Sequence, residues 1–141
     1  MADDGSDFAR SMSIATSGLR AQAGRMRVLS ENIANADSTA QSPGGDPYRR
    51  KVPTFSSALD RTLDARVVTL GKVRTDQAAF RVKHEPSNPA ADAAGNVKYP
   101  NVNPLVEMTD MREAQRSYEA NLNIISATRR MIQRTLDILK A

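Results

Sequence analysis

Apolar side chains recur with a seven-residue rhythm at both ends of the chain, and the rhythm is lost in the middle. From the N-terminus, Phe8, Met12, Ala15, Leu19, Gln22, Met26, Leu29, Ile33 and Ala36 alternate steps of four and three. Toward the C-terminus, Met108, Met111, Gln115, Tyr118, Leu122, Ile125, Arg129, Ile132, Leu136 and Leu139 alternate in the same way. Such a spacing keeps one stripe of an α-helix turned toward a partner helix. The pattern predicts a mainly α fold, with long N- and C-terminal helices forming an antiparallel coiled coil and a small, partly β insert between them. Residues 1–36 and 104–141 are then the two helices of one coiled-coil domain, and residues 37–103 are a loop and a small outer subdomain.

The first helix is expected to begin near Ser6, a good N-cap, with Asp7 in the first turn, where the helix dipole favours negative charge. It is expected to run to about Asn35. Gly18 and Gly24 each cost it roughly 1 kcal/mol relative to alanine, so packing must hold it. Residues 37–47 are rich in Ser, Pro and Gly and predict a loop. An extended stretch follows over 48–55, then a short helical segment over Ser56–Leu63. Strands are expected over Val67–Leu70, Lys72–Arg74 and Phe80–Lys83, and Gly95-Asn96 marks a turn between Ala91–Ala94 and Val97–Tyr99. Asn103 caps the second helix, with Pro104 at its first position. Ile124, Met131 and Ile138 add a second apolar line to that helix. Its apolar face is wider than one seam requires, which points to more than one partner helix.

Composition narrows the architecture. Of 141 residues, 40% are hydrophobic but only 4% are aromatic, and Trp is absent. A compact core would be thin, so burial must come from aliphatic residues on helices. Cysteine is absent, which excludes disulfides and thiolate chemistry. No basic start leads into an apolar stretch, so a Sec-type signal peptide is not expected. No apolar run is long enough to span a membrane, so direct membrane insertion is not expected either. The net charge of +4 is uneven: Asp3, Asp4 and Asp7 make the start acidic, and the basic excess lies between residues 8 and 83. That excess is spread over a helix, a loop and strands, whereas nucleic-acid binding calls for a concentrated basic face.

Candidate chemistry is sparse. His84 is the only histidine and reads as a loop residue. Glu107, Asp110 and Glu113 lie three apart on the second helix and read as a solvated face rather than a metal site. Arg129 sits on the seam beside Arg130 and Arg134, either snorkelling to solvent or meeting acidic groups of a neighbouring chain. Gln22 and Gln115 interrupt the seams, as register-setting polar residues or as tolerated exceptions. There is no phosphate loop, dinucleotide fingerprint, zinc pattern or nucleophile motif. No enzyme activity, cofactor or metal is expected.

The first helix ends in Ser30-Glu31-Asn32-Ile33-Ala34-Asn35-Ala36-Asp37-Ser38-Thr39. This resembles the NNIANxxT signature of the flagellar rod and hook family. Pro47-Tyr48-Arg49-Arg50-Lys51-Val52, Tyr99-Pro100-Asn101-Val102-Asn103-Pro104, Glu107-Met108-Thr109-Asp110-Met111 and Arg116-Ser117-Tyr118-Glu119-Ala120-Asn121 extend the resemblance over the whole chain. The motif residues are thus Asn32, Ile33, Ala34, Asn35, Asn101, Val102, Asn103, Glu107, Met108, Tyr118, Glu119 and Asn121. The short insert resembles the proximal-rod members rather than the larger distal-rod and hook proteins. Where such members commonly carry HPDAD, this chain has Asn88-Pro89-Ala90-Ala91-Asp92, and Asn96 replaces an aromatic after the glycine.

The resemblance implies a structural subunit of the proximal rod of the bacterial flagellar basal body, transmitting torque and lining the export channel. Its partners would be copies of itself and other flagellar rod proteins in a helical assembly. It would reach the periplasmic rod through the flagellar type III export apparatus, without a cleaved signal peptide. The expected assembly seam comprises Leu19, Met26, Leu29, Ile33, Met108, Met111, Tyr118, Leu122, Ile125, Ile132, Leu136 and Leu139. Early axial subunits also carry a Phe-x-x-x-hydrophobic element read by the export gate, which Phe8 and Met12 match. Both residues are also seam positions, so packing alone accounts for them as well. Two rival functions are a coiled-coil adaptor, which would form a discrete oligomer, and a basic nucleic-acid-binding module, which would bind with steep salt dependence.

Overall fold

The computed structural model describes residues 4–140, with side chains from Asp7 onward. The fold is mainly α. Helix α1 spans Asp4–Ala34 (31 residues) and helix α2 spans Pro104–Lys140 (37 residues). Between them lie β1 (Lys51–Val52), β2 (Phe55–Asp60), β3 (Ala65–Leu70), β4 (Arg74–Thr75), β5 (Arg81–His84) and β6 (Asn96–Tyr99). The strands form three antiparallel pairs, β1 with β4, β2 with β3 and β5 with β6. Because α1 starts at Asp4, Ser6 lies inside its first turn rather than ahead of it, and the Ser6 side chain is outside the described ones.

The chain divides into two compact units, and both helices contribute to each. The first gathers α1 through Arg25, Thr54–Lys72 and α2 from Glu113 onward. Its β element is the β2–β3 hairpin, in which Phe55 faces Leu70 and Leu59 faces Arg66. The helical segment expected over Ser56–Leu63 is therefore a strand and a turn. Every residue of β2 except Asp60 is exposed, so its apolar spacing carries no mark of a buried face. Cross-strand pairing decides its conformation instead, aided by the Ser56–Thr69 hydroxyl contact of 2.9 Å. At the tip, Asp60 Oδ1 accepts the N–H of Thr62 at 2.9 Å, and Asp64 takes a positive φ of 47°.

The hairpin packs on α1, where the backbone N–H of Val68 donates to Ser17 Oγ at 3.2 Å. A Cβ at Gly24 would lie 2.7 Å from Leu70 Cδ2, and one at Gly18 would lie 2.8 Å from the Asn121 amide. The two glycines that weaken α1 as an isolated helix are thus where a strand and a second helix come closest. Contacts between the helices step up α1 as they step down α2: Ala15 lies near Ile124, Gly18 against Asn121, and Arg25 forms a 3.6 Å ion pair with Glu113.

The second unit gathers Met26–Pro53 and Val73–Arg112. Its apolar core is Ala90, Val97 and Tyr99, with Ala40 and Ala91 packed against it. The β5–β6 hairpin supplies two of these residues, and Gly95 turns into β6 at φ 78°. His84 is the last residue of β5 rather than a loop residue, and its Nδ1 lies 3.3 Å from Asn96 Oδ1. At the end of α1, the Asn35 side-chain amide and its backbone N–H both donate to the Glu31 carbonyl, at 2.8 and 3.2 Å. Asn103 Oδ1 accepts the N–H of Leu105 at 3.1 Å, the expected cap of α2.

The Gly24 contact leaves no room for a branched side chain. Gly24→Val should be less stable than the parent by about 1–3 kcal/mol in urea unfolding, despite removing a helix glycine. Unchanged or increased stability would show that the hairpin does not rest on α1 at that point.

Candidate functional site: a buried polar cluster and the exposed faces of the second helix

The second unit encloses a carboxylate. Glu107, in the first turn of α2, is 0% exposed, and so is Asn32 near the end of α1. Arg50 Nε donates to Glu107 Oε1 at 2.6 Å, and Asn32 Nδ2 donates to Glu107 Oε2 at 2.9 Å. Asn32 uses its whole hydrogen-bonding capacity: Nδ2 also donates to the Lys51 carbonyl at 2.7 Å, while Oδ1 accepts the Lys51 N–H at 2.9 Å and the Tyr48 hydroxyl at 2.8 Å. Asn101 Oδ1 accepts the Arg50 N–H at 2.9 Å, and its amide donates to the carbonyls of Asp76 and Ala78. Asp76 Oδ2 lies 3.6 Å from Arg50, and Lys51 pairs with Glu31. Arg49 stacks over the Phe80 ring at 4.2 Å from its centroid.

This arrangement makes the segment Tyr48–Lys51 a strap held on both edges. A buried carboxylate is tolerated only when paired and hydrogen-bonded, and both oxygens of Glu107 are occupied. Burial works against the Arg50 charge, but the hydrogen bond and charge of Glu107, with Asp76 and Asp110, hold its pKa above the ordinary value. Burial, reinforced by the charges of Glu31 and Glu107, pushes the Tyr48 phenol up from 10.0 to about 12. Glu107 therefore does not belong to a solvated acidic face. The three acidic residues diverge, since Glu113 is exposed and faces Arg25.

The expected seam residues separate by exposure. On α1, Leu29 is buried, and Phe8, Met12, Leu19, Met26 and Ile33 are half-buried. On α2, Met111, Tyr118, Ile125 and Ile132 are half-buried, whereas Met108 (51%), Leu122 (47%), Leu136 (45%) and Leu139 (78%) are exposed. The buried residues of α2 are Glu107, Ala114 and Thr128, at heptad spacing one residue before Met108, Gln115 and Arg129. Small and polar residues thus turn inward along α2 and allow close helix approach. Its large apolar residues flank that face on both sides, with Ile124, Met131 and Ile138 exposed on the second line. Arg129, Arg130 and Arg134 are exposed. Gln22 Oε1 is buried with no hydrogen-bond partner among the described residues. Among those residues, no acidic, histidine or cysteine cluster could hold a metal, and no helix is long and apolar enough to cross a membrane.

Comparison with known proteins decides the family. Residues 12–40 match the family described as flagella basal body rod protein, and residues 93–138 match the C-terminal region of the flagellar basal body rod FlgEFG proteins. The chain is 54% identical over 128 residues to the flagellar basal-body rod protein FlgC of Agrobacterium fabrum, covering 91% of this chain and 92% of that protein. It is 38% identical over 145 residues to FlgC of Bacillus subtilis, covering 92% and 97%. With FlgC of Salmonella typhimurium it shares 39% identity over 125 residues, covering 89% and 92%. The chain belongs to the FlgC family. It is a structural subunit of the flagellar basal-body rod, not an enzyme.

The residues that carry the FlgC-family resemblance fall into distinct structural places. Asn32, Asn101 and Glu107 meet in the polar cluster, Asn35 closes α1 and Asn103 opens α2. Val102 is buried beside them in sequence, Ile33 is half-buried, and Ala34 is exposed. Asn121 seats against Gly18, Tyr118 is half-buried, and Met108 and Glu119 remain exposed. Tyr48, Arg50, Lys51 and Asp76 complete the cluster and were not singled out as site residues. Tyr48, Arg50 and Lys51 lie in the Pro47–Val52 segment that shares the family resemblance, but nothing in that segment shows that they meet Asn32, and Asp76 carries no signal in the sequence.

Two outcomes test the cluster. Asn32→Ala removes one hydrogen bond each from Glu107 and Tyr48 and two from the Lys51 backbone, and should cost about 3 kcal/mol in urea unfolding; a loss below about 1 kcal/mol would mean that the cluster does not hold the strap. The raised Tyr48 pKa means that the fold favours the neutral phenol. Its contribution is fully present below pH 10, the unfolded value, and is lost as pH rises toward about 12. Tyr48→Phe should therefore show a shallower stability loss over that range than the parent. Tyr99, also held above its ordinary value by its hydrogen bond to Glu85, stays the same in both proteins. Parallel curves of stability against pH would refute the Tyr48 assignment.

Proposed function

We propose that this chain is a subunit of the proximal rod, located in the periplasm, where it transmits torque and lines the export channel. The observation that carries the reading is the division of α2. Its fully buried residues are small or polar, Met111, Tyr118, Ile125 and Ile132 are half-buried beside them, and further large apolar residues are left exposed on two flanks. A helix that keeps Leu122, Leu136 and Leu139 exposed on one side, and Ile124, Met131 and Ile138 on the other, suits burial between neighbouring chains. On this proposal residues 1–36 and 104–141 form an antiparallel coiled coil in the inner tube, and residues 37–103 form the outer layer. Interdigitated helix faces have discrete registers, so a tube of such pairs resists twisting. The partners are other copies and other rod proteins, and neither nucleic acid nor a membrane is engaged directly. The chain reaches the rod through the flagellar export apparatus without a cleaved signal, and Phe8 with Met12 presents the segment read by the gate. A free-standing coiled-coil adaptor would not leave both flanks of α2 uncovered.

One experiment separates assembly from export. Leu122 is exposed within the chain, so Leu122→Asp should leave the subunit folded but abolish rod formation and motility, because burying an unpaired carboxylate at an interface costs several kcal/mol. Phe8→Ala should instead hold the protein in the cytoplasm if the gate reads Phe8. Fractionated cells should then contain secreted Leu122→Asp and retained Phe8→Ala. Motile cells carrying Leu122→Asp would remove the assembly role of that flank. Equal secretion of the two variants would leave Phe8 as a packing residue only.

A further inference from the structure

The β2–β3 hairpin of the first unit has one edge covered and one edge open. At the β3 edge, the N–H of Val68 points to α1 and donates to Ser17 Oγ at 3.2 Å. Backbone groups alternate in direction along an antiparallel strand. Val67 and Thr69 therefore point into the hairpin, and Arg66, Val68 and Leu70 point out of it. The residues across from those three are Leu59, Ser57 and Phe55, which point out along the far edge, that of β2. The bond from the Gly71 N–H to the Thr54 carbonyl, at 2.7 Å, sets the same phase. Among the described residues, the outward N–H and C=O groups of Phe55, Ser57 and Leu59 form no hydrogen bond.

This edge is also unguarded. Phe55–Asp60 contains no Lys, Pro or Gly and no charge before its last residue, and Phe55 and Leu59 are 43% and 57% exposed. Edge strands that stay single are commonly protected by charges, Pro or bulges. In the second unit β5 is protected in that way, since its four residues include Arg81 and Lys83.

The best complement to β2 is β2 itself. In two copies set antiparallel with Ser57 facing Ser57, the outward residues of one strand meet the outward residues of the other. Each can then exchange both its N–H and its C=O bonds. Phe55 of each copy lies across from Leu59 of the other, on one face of the sheet. Ser56 lies across from Ala58 and Asp60 across from Thr54, so no like charges are opposed. A shift by one residue would set outward groups against inward-pointing ones and lose these bonds. A shift by two would place Leu59 across from Pro53, which has no N–H, or Phe55 across from Arg61 in the turn.

We infer that the open edge of β2 is a self-association site, at which two copies of this chain pair antiparallel about Ser57 into one four-stranded sheet. Such a contact uses the same surface on both copies, so it closes on two and does not propagate. It therefore belongs to the chain outside a rod, and its test is independent of the rod-subunit reading.

Amide hydrogen exchange of the full chain, followed residue by residue as concentration is raised, tests the site without a substitution. The N–H groups of Ser56, Ala58, Val67 and Thr69 should be protected by the hairpin at every concentration. Those of Phe55, Ser57 and Leu59 should exchange fast in dilute solution and about tenfold more slowly once copies pair. A chain that stays monomeric would overturn the inference, as would association through another surface that leaves these three amides fast. The absence of cysteine allows an independent check. In a glutathione redox buffer, Ser57→Cys should accumulate as a disulfide-linked dimer, because directly opposed hydrogen-bonded residues have Cα atoms about 5.5 Å apart, within disulfide reach. Arg61→Cys, in the exposed turn, should stay monomeric. Linkage of Ser57→Cys no greater than that of Arg61→Cys would refute pairing about Ser57.

Discussion

Burial of the Glu107 carboxylate is the constraint around which the second unit is organised. An unpaired charge there would cost several kcal/mol, so the fold must bring Arg50 and Asn32 to it together. Those two residues lie in different segments, one on a strap and one at the end of α1. Satisfying Glu107 therefore fixes the start of α2, the end of α1 and the strap at once. Asn101 extends the same logic by holding the backbone N–H of Arg50 and the carbonyls of Asp76 and Ala78. A hydrophobic contact could slide by a fraction of a residue at little cost. A hydrogen-bond set that uses every donor and acceptor of Asn32 cannot, which gives this unit a single register.

The first unit is held differently. Here α1 is covered on two flanks, by the hairpin at Ser17 and Gly24 and by α2 at Gly18 and Arg25. The glycines lower the intrinsic stability of α1 and at the same time permit both approaches. A helix built this way depends on its neighbours for stability. Along α2 the economy is reversed. The fully buried residues there are small or polar, while Leu122, Ile124, Met131, Leu136, Ile138 and Leu139 remain exposed. On the proposed rod function, those residues are the ones that neighbouring chains would cover.

Much of this was legible in advance. The 3.5-residue rhythm located both helices, because periodic burial leaves a trace in any amphipathic helix long enough to repeat it. The Asn103-Pro104 start of α2 and the Gly95 turn were equally plain, since each rests on backbone chemistry confined to a few residues. The motif containing Asn32 identified the family without revealing what Asn32 does. The segment 56–63 could not be assigned from its own residues, because β2 is exposed on both faces and shows neither helical nor strand periodicity.

What the sequence determined by itself is therefore local: the existence of both helices, the cap of α2, the Gly95 turn and the family. What only the tertiary structure decided is which face of each helix turns inward and which polar groups are buried. The rhythm on α2 marks a stripe that includes Met108 and Leu122, yet the residues buried within the chain lie one place earlier, at Glu107 and Ala114. On the proposed rod function, the spacing would report burial in the chain and in its assembly together. Glu107 reads as solvated by composition and is fully buried by structure, because its solvation is replaced by Arg50 and Asn32, residues 57 and 75 places away in the chain.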